Sequence, residues 1–247
     1  MDLELLARFA MTLKLRALPT LIALSAWLLT ALPAHADVMG VQLFVDGRLV
    51  GTKSAEPAPN AAVPLAFDVA NAGFQIDGLA FLDVDPFIDF NLTAVNFGGT
   101  PTSFAFLFSS PYTGGPYNTL LSEFSSEVTD FGGNGAADVV PLASGFMSLP
   151  QIDGVNVLAA ALGDGCSPVM APGSTVTCDP FSTASVGVAT LPDGQFGVLI
   201  AFTLSGADAL TVAGRVELLN TAVPEPVSAL LIGLGLSLVA VRRRRAH

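Results

Sequence analysis

Between residues 87 and 97 the side chains alternate: Ile88, Phe90, Leu92 and Ala94 are apolar, and Asp89, Asn91 and Thr93 between them are polar. A period of two fits a strand with one face buried and is incompatible with an amphipathic helix, whose apolar positions recur every three or four residues. Phe104, Phe106 and Phe108 repeat the pattern. Asp46-Gly47 separates the β-rich segments 38–45 and 48–52, and both residues accept the positive φ of a tight hairpin turn. Further strands are expected at 63–70, 78–84, 102–109, 120–129, 182–191, 196–204 and 210–220, all punctuated by Gly, Pro, Asn and Asp. Only 155–162 carries a trace of helical period, and 53–59, 111–116 and 130–135 read as loops. About ten short strands at this spacing predict an all-β fold, a single antiparallel β-sandwich domain of jelly-roll or Ig-like type, with barrel closure as the alternative.

The two ends of the chain do not share this pattern. From Met11, Lys14 and Arg16 precede an apolar stretch at 18–32 and then Ala34-His35-Ala36, the small residues that signal peptidase requires. Residues 1–36 are therefore expected to be a signal peptide, cut after Ala36 to leave Asp37 first. Asp2 and Glu4 fit a basic leader poorly, which points to Met11 as the true start.

At the other end, Pro224-Glu225-Pro226 is followed by an uncharged run at 227–241 and by Arg242, Arg243, Arg244 and Arg245. As a helix, fifteen residues span about 22 Å, short against about 30 Å of bilayer hydrocarbon. Four arginines resist translocation and favour the anionic inner leaflet, which orients everything before them outward. The prolines keep 223–226 extended and accessible at the outer interface. Motif, span and basic cluster together resemble the PEP-CTERM sorting signal of Gram-negative bacteria, over residues 223–247. The resemblance implies recognition of Pro224, Glu225 and Pro226 by an exosortase-type membrane enzyme, cleavage near that motif, a cell-surface or extracellular destination, and an association with exopolysaccharide or biofilm. The catalytic cysteine implied belongs to the exosortase and not to this chain.

Without its two ends the chain changes character. Residues 37–222 hold three basic against eighteen acidic side chains, a net charge of −15, and sixteen phenylalanines to fill a core. That charge argues against nucleic acid or anionic lipid as partners of this body and favours divalent cations or basic surfaces. Its two cysteines, Cys166 and Cys178, are expected to pair in an oxidising compartment. Both histidines, His35 and His247, lie in the terminal segments, which removes Ser-His-Asp triads, Cys-His pairs and histidine-bound zinc from the body. No catalytic residue is assigned and no cofactor is required.

Carboxylates are the chemistry that remains. Asp83, Asp85 and Asp89 form the densest group, and oxygen ligands so gathered suit Ca²⁺, although the glycine and terminal glutamate of an EF-hand loop are missing. A solvated acidic strand face is the plainer account. Two carboxylates also suffice for glycoside hydrolysis, but Trp27 leaves with the leader, so only Tyr112 and Tyr117 remain as sugar platforms of that kind. The sequence thus points to a non-catalytic exported envelope or matrix protein. The alternatives are a secreted carbohydrate-active enzyme using two carboxylates and a calcium-dependent adhesive module.

Overall fold

A computed structural model describes residues 39–58, 61–142, 145–188 and 193–220. The leader with Ala34 and Ala36, the motif Pro224-Glu225-Pro226, the apolar run 227–241 and Arg242 to Arg245 lie outside the described residues.

Where the sequence alternates or runs apolar between turn residues, the chain extends. Thirteen strands form among the described residues: β1 (Met39–Val45), β2 (Arg48–Ala55), β3 (Val63–Ala70), β4 (Phe74–Asp83), β5 (Phe87–Asn96), β6 (Thr102–Tyr112), β7 (Thr119–Thr129), β8 (Val139–Pro141), β9 (Ser148–Ile152), β10 (Val155–Asn156), β11 (Thr175–Gly187), β12 (Gly194–Leu204) and β13 (Asp208–Leu219). The β1–β2 hairpin turns at Asp46 and Gly47, whose φ values of 48° and 74° are those the dipeptide was expected to supply. Every strand pairing is antiparallel.

The strands make two open sheets. One has seven strands in the order β10-β9-β12-β6-β1-β2, with β8 also on β12; the other has six, β11-β7-β13-β5-β4-β3. The result is a sandwich-like arrangement and not a closed barrel. From β5 onward the chain passes back and forth between the sheets: β6, β12 and the short β8 to β10 join the first, and β7, β11 and β13 the second.

Between the sheets lies the core. Phe90, Phe104, Phe106, Phe108, Phe124 and Phe202 are fully buried, with Phe90 stacked on Phe108 at 5.6 Å between ring centroids. Gly78 and Gly214 are glycines because a Cβ there would meet the Phe67 and Phe90 rings, respectively, at 2.6 Å. Such contacts explain two glycines inside strands, where the residue otherwise weakens packing.

Several boundaries differ from expectation. β4 begins at Phe74 and not at 78, β2 continues through Lys53 to Ala55, and β6 runs on to Tyr112, so parts of two predicted loops are strand. β11 starts at Thr175, seven residues early, and β8 to β10 were not anticipated. The helical trace at 155–162 resolves into β10 and a single 3-10 turn, Leu158–Ala160. Local pattern loses these segments because tertiary contacts set them: Cys166 pairs with Cys178 at a Cα separation of 5.4 Å, and Cys166 also bridges to Val139 through the backbone. The disulfide expected from the sequence is therefore present. Among the described residues no helix is long and apolar enough to cross a membrane.

The sandwich has two poles. Met39 and Leu219 share one with the 84–86 turn, where Ser110 Oγ donates to the Asp83 carbonyl across the sheets at 2.9 Å. The opposite pole carries the Asp46-Gly47 hairpin, the 97–101 and 130–138 loops and the 205–207 link, tied by Asn96 Nδ2 to the Leu204 and Ser205 carbonyls.

Candidate functional site

The outer face of the six-stranded sheet collects most of the polar chemistry. Strand register writes it in rows. One row crosses Phe81, Asp89, Arg215 and Glu123 on β4, β5, β13 and β7; another crosses Asp68, Asp77, Thr93, Thr211 and Glu127. These residues face outward because their neighbours Ala80, Ile88, Phe90, Leu92, Val212 and Val216 are committed to the core, and successive side chains must alternate.

Arg215 is the centre of the first row. Its guanidinium holds Glu217 through Nε at 3.0 Å and the terminal nitrogen at 2.9 Å, and it lies over the Phe87 ring at 4.7 Å. Asp89 and Glu123 stand directly opposite it on the two neighbouring strands. The cation is thus held by one carboxylate, Glu217, and one aromatic face, Phe87, with two further carboxylates on the flanking strands. In the second row Thr93 and Thr211 join hydroxyls at 3.1 Å, while Asp68 and Asp77 sit opposite each other with like charge. Such a pairing disfavours the fold slightly, and it makes the face attractive to cations. Leu79 and Phe81, 38% and 39% exposed, add apolar surface beside the charges.

The calcium set is not assembled. Asp83 ends β4 and accepts the Asp85 amide at 3.0 Å; Asp85 lies in the turn, not on a strand, and accepts the Tyr117 hydroxyl at 3.1 Å; Asp89 stands on β5 opposite Arg215. Among the described residues no three His, Cys, Asp or Glu side chains gather closely enough to hold a metal ion. β4 ends at Asp83 and residues 84–86 turn, which breaks the alternation that would have aligned the first two carboxylates.

Nor is Tyr112 an exposed loop aromatic. It closes β6 and is 3% exposed, and burial, reinforced by Asp153 and Asp193, pushes its pKa up to about 12. Tyr117 is half-buried, with its pKa raised first by burial and then by the hydrogen bond to Asp85.

Two further groups escaped sequence reading. On the outer face of the seven-stranded sheet, Gly197 lies in a shallow dimple lined by Leu107, Ser109, Gln151, Gly154 and Gln195. It encloses no volume that a small molecule could fill. At the pole away from the termini, Asn96 and Asp208 are partners across β5 and β13, with Asp130 just past the end of β7, and all three are fully buried. Asp130 accepts the Asn134 and Gly135 amides at 3.1 and 2.7 Å, and Asp208 pairs with the Ser205 hydroxyl. Burial raises the Asp208 pKa, the Ser205 hydrogen bond lowers it, and the Asp130 and Asp138 charges raise it further. Only spatial proximity reveals this set, since its members are more than thirty residues apart in sequence.

No protein-family model matches the chain, and no curated protein matches it. Among solved structures it is similar to TmCBM61 in complex with β-1,4-galactotriose, at 7% identity and a TM-score of 0.24 over 63% of this chain and 88% of that one. It is also similar to the enzymatically active domain of tailspike protein 4 of bacteriophage CBA120, at 14% identity and a TM-score of 0.23 over 65% of this chain. A family two carbohydrate esterase from Cellvibrio japonicus matches at 14% identity and a TM-score of 0.17 over 64% of this chain. The chain spans 20% and 34% of the length of the last two. At these TM-scores the likeness adds nothing to the reading of the site.

Proposed function

We propose that this chain is an exported, non-enzymatic protein of the cell envelope or extracellular matrix, displayed as one acidic β-sandwich over residues 37–222. In this reading signal peptidase removes 1–36 after Ala36. The 223–247 tail then acts as a PEP-CTERM-like sorting signal: Pro224, Glu225 and Pro226 are read by an exosortase-type enzyme, 227–241 halts in the membrane and Arg242 to Arg245 stay on the cytoplasmic side. The passage of successive strands between sheets favours a jelly-roll over an Ig-like topology.

The observation that carries the proposal is the ordered constellation of motif, apolar run and arginines at 223–245, together with the leader-like pattern at 11–36. Two structural facts support it. Met39 and Leu219 leave the sandwich at one pole, so a membrane-held tail would direct the other pole outward. The Cys166–Cys178 disulfide suits an oxidising compartment. Association with exopolysaccharide would use the outer face around Arg215, whose carboxylate, hydroxyl and aromatic groups can meet an extended polymer.

Replacing Pro224, Glu225 and Pro226 with alanine tests the sorting role. The expected result is accumulation of an unprocessed membrane form in the native host; unchanged processing and localisation would sink the proposal.

A further inference from the structure

Among the described residues the two open sheets end on β10, β2, β11 and β3, with the three-residue β8 as a further short edge on β12. All but β11 are short or carry devices that discourage pairing with another chain. β2 bears Arg48 and Lys53, β3 bears Pro64 and Asp68, and β10 is two residues long. β11 is different. It is the longest strand, thirteen residues, and from Pro180 to Val188 the sequence Pro-Phe-Ser-Thr-Ala-Ser-Val-Gly-Val has no charged side chain. Residues 182–187 pair with β7 on one side, and among the described residues they make no backbone hydrogen bond on the other. Phe181, at the bulge that precedes them, is 68% exposed.

We propose that the open edge of β11 is a self-association surface, on which a second copy of this chain adds its own β11 antiparallel and merges the two six-stranded sheets. The occupant follows from charge and shape. In a two-fold contact each patch meets itself, so any charge on it is repelled by its copy, and 180–188 carries none. A two-fold axis perpendicular to the sheet keeps each side chain on its own face, so the pleats match only if one residue meets itself. With Ala184 on the axis the sequence is self-complementary. Thr183 meets Ser185, a pair able to share a hydroxyl hydrogen bond; Ser182 meets Val186; and Phe181 lies over Gly187, where no side chain obstructs the ring. Backbone hydrogen bonds supply the attraction, as in other strand additions.

Single cysteines at each of 182–187, introduced into the full-length chain and exposed to a mild oxidant, read this register directly. Facing residues of antiparallel strands lie about 4.5 to 5.5 Å apart, within disulfide reach. Covalent dimer on a non-reducing gel is expected to peak at Ala184→Cys, fall at its neighbours, and be absent from Ser54→Cys on the protected β2 edge. Adding T183K and S185K to the Ala184→Cys chain sets like charges opposite each other and is expected to reduce the dimer band at least tenfold, with thermal unfolding unchanged. A dimer yield at Ser54→Cys equal to that at Ala184→Cys, or no dimer anywhere in 182–187 of the folded chain, overturns the proposal.

Discussion

The outer faces of the two sheets are built from different material. On the six-stranded sheet the face is a ladder of Asp, Glu, Thr and Arg open to solvent. On the seven-stranded sheet Ala105, Leu107, Leu199 and Ala201 of the central strands are buried, in a cluster with Leu149 and Ala161 and against Phe44, Leu142 and Phe146. A strand with one wet face must alternate, whereas a strand covered on both sides need not. β6 and β12 therefore run apolar through their middles, and β5 and β13 alternate from end to end.

That contrast is sharpest in the response to truncation. Leu107, on the outer face of the seven-stranded sheet, is buried in its apolar cluster, and Leu107→Ala is expected to destabilise the fold by about 2–5 kcal/mol. Phe81→Ala on the open face should change stability by less than about 0.5 kcal/mol. Chemical denaturation of both variants checks the pair; equal losses would mean the six-stranded sheet's outer face is covered by something more.

The disulfide fastens the 158–166 segment to the edge of β11 in the six-stranded sheet. Cys166→Ser with Cys178→Ser is expected to cost about 3 kcal/mol in the chain-entropy model. Hydrogen exchange should show the loss first in β8 and the first half of β11, which the bridge holds.

A third test concerns the buried pole. Asp208 has its pKa raised chiefly by burial, so its protonated form is the one the fold favours. Stability from this group is fully present below the unfolded pKa and is lost as pH rises through the folded one. Asp208→Asn, which cannot ionise, is expected to remove that loss, flattening the decline in unfolding free energy above the carboxylate range. An unaltered pH profile would contradict it.

A small effect is also expected at Arg215. Its ion pair with Glu217 is partly exposed, and surface pairs contribute about 0.2–1 kcal/mol. Arg215→Ala should therefore cost under about 1 kcal/mol while leaving Glu217 without its cation, an effect that shrinks as salt is raised.

The same difference between the faces explains what the sequence disclosed. β5, with its strict alternation, and the Asp46-Gly47 hairpin were readable because each is dictated by neighbours in the chain. The bounds of β3 matched at both ends. Residues 139–156 were not readable, because β8 and β9 exist only by adding to β12, and the first half of β11 is held by the disulfide and by β7. At the candidate site, the abundance of carboxylates was legible but their grouping was not: sequence spacing put Asp83, Asp85 and Asp89 together, whereas cross-strand register puts Asp89 with Arg215 and Glu123. Asp130 and Asp208 meet only through the strand order β7-β13.

The most direct test of the account is the intact mass of the protein recovered from the envelope and medium of its native host. A species that starts at Asp37 and ends near Pro226, with any added anchor resolved, is the predicted result. A mass that retains Arg242 to His247 would contradict sorting by an exosortase-type enzyme and leave the tail as a membrane anchor alone.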